Sequence, residues 1–168
     1  MPKPRHILWE GLVTGLIGAG GVAFWFLLVD MVAGRPLYTP AVLGSAATLG
    51  LRDPALVVIN LQSVGAYTAF HVLAFFAVGV VASALAHEAE KSLHVLWLVV
   101  EFFLIFEFAF YAAVGLVFAP LLAELAWINV AAGNLIAAAG MGYYLLYAHP
   151  EIASQLKSLD TEDASEAE

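Results

Sequence analysis

Four apolar stretches constrain this chain more than any other feature. They run over about 6–32, 54–86, 92–118 and 121–147 of its 168 residues. Each exceeds the roughly 20 residues needed to cross a bilayer core at about 1.5 Å per helical residue. Hydrocarbon offers the backbone no hydrogen bonds, so runs of this length are helices. The expected fold is an all-α integral membrane protein: a four-transmembrane-helix bundle with a longer first connection, in one domain over 1–147. Composition agrees. The chain is 62% hydrophobic with a mean hydropathy of +0.90, where a soluble domain is about half apolar.

The formal charge of -8 is not one acidic surface. Asp160, Glu162, Asp163, Glu166 and Glu168 crowd the C-terminal end. A charge block without aromatics predicts a disordered, solvated tail over 148–168. Nothing is basic enough for nucleic acid. The chain has no cysteine, which removes disulfides, thiolate metal sites, iron–sulfur clusters and CxxCH haem attachment.

The first stretch follows Lys3 and Arg5 but is too apolar and long for a cleaved signal, carries Glu10, and lacks a small-residue cleavage site after it. It is expected to be retained. Lys3, Arg5, Lys91 and Lys157 fall on one side of a four-helix plan, Arg35 and Arg52 on the other. The positive-inside rule then puts both termini, and the tail, on the cytoplasmic side of a plasma (inner) membrane. Trp9, Tyr38, Trp127, Tyr143, Tyr144 and Tyr147 lie near helix ends, as interfacial anchors do.

Short turns around His87–Lys91 and at Ala119–Pro120 make the second to fourth helices antiparallel neighbours. The first connection, from Ala33 to Asp53, is longer. Its run Ala41–Leu51 has two possible placements: in the membrane interface, or folded partway back as a re-entrant lid. Gly11, Gly15 and Gly18 form a smooth stripe on the first helix. Ala126, Gly133, Ala137 and Gly140 form a ridge on the fourth. Such surfaces let helix backbones lie close, within one bundle or against another copy.

The polar residues inside these stretches are the candidate site. At 100° per residue, Asn60, Tyr67, Thr68 and His71 share one sector of the second helix. Glu101 and Glu107 on the third are about 9 Å apart along the axis and about 120° apart around it. They border a sector with Trp97, Leu104, Phe108 and Tyr111. That sector is expected to face the core, with Glu107 at the depth of His71 and Glu101 nearer the cytoplasm. Asn134 on the fourth helix and His94 two turns before Glu101 are reserve ligands or proton relays. Glu10, Asp30, Glu124, His87 and His94 lie near helix ends, within reach of water, and carry less weight.

A charged acid at the centre of a spanning helix costs roughly 2.5–3.5 kcal/mol. No lysine or arginine lies within the four cores. A proton, His71, a metal or a neighbouring chain must therefore neutralise the glutamates. The reading adopted is a small multi-pass accessory subunit or scaffold of a membrane complex, in contact with the lipid bilayer and with its own copies or other subunits. The buried polar site is His71, Glu101 and Glu107. The alternatives use the same residues. A metal site of carboxylates and imidazole suits iron, manganese or zinc. The Glu-x-x-His spacing of di-iron bundles is missing from the cores, and one midplane histidine provides bis-histidine haem only in a homodimer. A proton or ion pathway would add Tyr67, Tyr111 and Asn134. No P-loop, Gly-x-Ser-x-Gly or HExxH motif points to an enzyme.

Overall fold

A computed structural model describes residues 4–92, 94–118 and 127–166 of the chain. The described residues are helical without a strand. In chain order they form α1 (Pro4–Val32), α2 (Tyr38–Leu49), a 3-10 turn (Pro54–Leu56), α3 (Leu61–Ala89), α4 (Val95–Phe118), α5 (Trp127–Ala148) and α6 (Pro150–Glu166). Among the described residues, three helices are long and apolar enough to cross a membrane: His6–Val32 within α1, α3 and α5. The expected tight turn at Ala119–Pro120, together with Glu124 and Ala126, lies outside the described residues.

The second apolar stretch becomes a helix later than its hydropathy indicates. Asp53 accepts from the Ala55 amide (2.9 Å) and closes the 3-10 turn. Asn60 then caps α3 by accepting from the Ser63 amide (2.9 Å). A side-chain oxygen that satisfies an orphan N–H fixes where a helix starts.

Glycine sets how closely α1 and α3 approach. A Cβ on Gly11 would fall 2.6 Å from the Val80 Cα, and one on Gly79 would meet the backbone of Gly11 and Gly15. Gly18 lies under Met141 and Phe75. On α5, a Cβ added to Gly140 or Gly133 would crowd Ile17 (3.1 Å) or Trp25 (3.3 Å) of α1. The Trp25 Nε1 also donates to the Asn129 carbonyl (2.9 Å).

α2 folds back onto the start of α3. The buried Asp30 of α1 accepts from the Thr39 amide (2.8 Å) and the Thr39 hydroxyl (2.7 Å), so a side chain of one helix holds the first turn of the next. Ser45 donates to the Ser63 hydroxyl (2.9 Å), and Gly44 lies directly on the Ser63 backbone. Ala41 and Val42 are fully enclosed.

Within the acidic C-terminal segment, Pro150–Glu166 forms α6. Proline suits the first position of a helix because its missing N–H is not needed there. Ile152, 2% exposed, packs among Ala86, Ala89, Val95, Leu96 and Leu145. Gln155 donates to the Glu90 carbonyl (3.0 Å). The charge block conceals these two anchors.

Candidate functional site

The best-defined polar cluster lies at one end of the bundle, where α1, α3 and the α5–α6 junction meet. Glycine contact between α1 and α3 brings Glu10, next to Gly11, onto the last turns of α3. There the Ser83 hydroxyl donates to Glu10 Oε1 (2.8 Å). His87, one turn beyond Ser83, donates from Nδ1 to the Ser83 carbonyl (2.9 Å) and lies 3.9 Å from Glu10 Oε1 through the same nitrogen. Glu90 closes α3.

His149 joins these parts. It is the residue before Pro150, where proline disfavours continued α-helix, so α5 ends and α6 begins around it. Its ring is 3% exposed. Nε2 lies 2.8 Å from Glu10 Oε1 and Nδ1 lies 2.6 Å from Glu90 Oε1. The His87 ring meets it edge-on, with centroids 4.6 Å apart.

Ionised carboxylates only accept. With Glu10 and Glu90 ionised, the two short contacts place a proton on each ring nitrogen and make His149 an imidazolium between two anions. Burial alone pulls its pKa down, yet the hydrogen bonds and charges of Glu10 and Glu90 outweigh burial and hold it above the usual histidine value.

The same geometry suits a cation in place of the proton. One ligand atom each from Glu10, His87 and His149 lies within 4.8 Å of the others, and no other such trio of potential ligands occurs among the described residues. Glu90 holds the second nitrogen of His149. Histidine ligands in metal sites have this support, a carboxylate that fixes ring orientation and raises basicity.

The residues singled out from the sequence fall into two separate groups, and His71, Glu101 and Glu107 do not converge. The His71 Nε2 donates to the Ala19 carbonyl of α1 (3.2 Å), which leaves Nδ1 facing the Tyr67 hydroxyl at 3.4 Å. His71 and Tyr67 line a cavity of about 400 Å³ with α1 and α2. Thr68 donates back to the Val64 carbonyl (2.8 Å). Glu107 belongs to a different cavity, between α3, α4 and α5, where Asn134 donates to its Oε2 (2.8 Å) and Tyr111 is within hydrogen-bond reach. Glu101 is exposed, as is His94, whose nearest polar partner is Ser92 (3.5 Å).

The core-facing sector expected on α4 is in fact its outer one, with Trp97 and Phe108 71% and 73% exposed. Phe102 and Phe103 face the bundle instead, on the same side as Glu107. A helix that is apolar all round gives no periodic signal for its inward face. Glu10 and His87 carry little weight in the sequence because they lie near helix ends, and His149 lies beyond the fourth apolar stretch. The available signal was the His-Pro pair after an apolar run, with Glu10 and His87 at the same end of an antiparallel plan.

No protein-family model matches the chain, and no curated protein or solved structure shows significant similarity to it.

Proposed function

We propose that the chain is a four-span integral membrane protein that binds a divalent transition-metal ion between Glu10, His87 and His149. The observation that carries this reading is the convergence of those three ligand atoms within 4.8 Å, with Glu90 behind the His149 ring. Two imidazoles and one carboxylate without thiolate suit zinc, iron or manganese. Three protein ligands leave a coordination position open, as in reactive rather than purely structural zinc sites. α4, 24 residues long and strongly apolar, is the fourth span in this reading. The cluster end then faces the cytoplasm, because Lys91 follows the end of α3 there and the sequence places Lys3 and Arg5 on the same side of a four-span plan.

A second reading follows from the same ring. Both nitrogens of His149 are already satisfied by carboxylates. A protonated clamp that ties three helices together is what a scaffold subunit needs. The exposed Glu101 on an apolar helix then supports assembly with a neighbouring chain.

Metal analysis of the detergent-purified full chain separates the two. The metal reading expects about one ion per chain, or saturable Co(II) absorption bands in the stripped protein, lost in Glu10→Gln and His149→Ala. Glu90→Gln should retain the site with about 10–100-fold weaker affinity, the usual cost of removing such a supporting carboxylate. A chain that neither carries metal nor develops Co(II) bands is a proton-clamped scaffold.

A further inference from the structure

The cavity between α3, α4 and α5 has chemistry that the end cluster does not use. It is a half-open cavity of about 250 Å³. Phe75 of α3 and Phe102 and Phe103 of α4 contribute aromatic wall, and Ala137 and Met141 of α5 close the other side. One carboxyl, that of Glu107, is set into this apolar lining.

Glu107 is held by neutral donors. Asn134 donates to Oε2 at 2.8 Å, and the Tyr111 hydroxyl lies within reach one turn along α4. Amide and hydroxyl donors orient a carboxylate but bring no positive charge. The four apolar stretches contain no lysine or arginine that could do so. His71, the histidine nearest the middle of α3, is turned to the Ala19 carbonyl and the Tyr67 hydroxyl, in the other cavity.

A carboxyl group among phenyl rings, once ionised, is complementary to one ligand class. The face of an aromatic ring attracts cations, and attraction to a quaternary ammonium strengthens when water is excluded. The carboxylate supplies the full counter-charge in the same low-dielectric setting. The apolar wall disfavours small hydrated ions such as sodium, which bring no apolar surface and hold their water tightly. The volume admits a compact amine, below the size of most drug-like ligands.

We infer that the Glu107 cavity binds a lipophilic organic monocation, an amine or quaternary ammonium of modest size, with Glu107 as counter-ion and Phe75, Phe102 and Phe103 as its aromatic wall. Asn134 is a positioning residue that aims the carboxylate. This site is separate from the metal cluster and does not depend on it.

The test uses the full-length protein in detergent, with chelator present so that metal binding plays no part. Benzyltrimethylammonium is titrated calorimetrically, with neopentylbenzene as its uncharged isostere. The expected result is one saturable site per chain for the cation and no comparable binding of the isostere. Glu107→Gln should weaken the cation by more than about tenfold, as removal of a buried ionic partner does. Phe103→Leu keeps the cavity apolar and should weaken it about three- to fivefold through loss of one ring face. It serves as the deciding variant if Glu107→Gln melts early. Absence of a saturable site, equal binding of the isostere, or full affinity in either folded variant would overturn the inference.

Discussion

His149 carries opposite pH signatures in its two possible states. Without metal, its raised pKa means that stability from the imidazolium is fully present below pH 6.5 and is lost as pH rises through the raised value. The melting temperature in chelator should therefore decline above neutrality in the parent chain and stay flatter in His149→Gln. With metal the sign reverses. The ion needs an unprotonated Nε2, so metal-induced stabilisation should grow with pH. Differential scanning fluorimetry across pH, with chelator and with zinc, reads both trends. Replacing His149 by alanine leaves Glu10 facing Glu90 without a cation, and loss of one partner from a buried ion pair costs about 3–5 kcal/mol. Ser83→Ala removes one neutral donor from Glu10 and should cost nearer 1 kcal/mol.

Among the elements, the α1–α3 contact is the least forgiving. A side chain at Gly79 would strike the Gly11 and Gly15 backbone, which belongs to a helix and has no rotamer to change. Gly79→Ala should destabilise by about 1–3 kcal/mol, measured as a lower midpoint in denaturing detergent. Gly142 faces open space, and alanine there should leave the midpoint unchanged or slightly raised. Helix content was legible in the sequence because apolar length alone dictates it. The inward face of α4 was not, since Trp97 and Phe108 are as apolar as Phe102 and Phe103 and lipid tolerates either pair. α6 was hidden for another reason: Ile152 and Gln155 dock it, and two residues do not register in an average dominated by carboxylates. The end cluster was hidden because three separate elements build it, and distance along the chain conceals nearness in space.

At the scale of the whole molecule, the end cluster gathers α1, α3 and the α5–α6 junction at one end, while α2 packs at the other end of α1 and α3. In the four-span reading these ends lie on opposite sides of the membrane. The chain has no cysteine of its own, so single-cysteine variants report this directly. Lys91→Cys should react with an impermeant maleimide only after the cells are opened, and Arg52→Cys in intact cells. The reverse pattern would invert the orientation. The contact between Glu10 and His149 spans 139 positions of sequence. Synthesis runs from the N-terminus, so Glu10 is made long before its cationic partner exists. Until the α5–α6 junction has emerged, Glu10 has the Ser83 hydroxyl and the nearby His87 ring but not the imidazole that ties it to the end of α5. Completion of this end of the bundle is thus recorded at a single imidazole, and a chain cut short before residue 149 would leave its first helix fastened to α2 and α3 alone and more open to quality-control proteases.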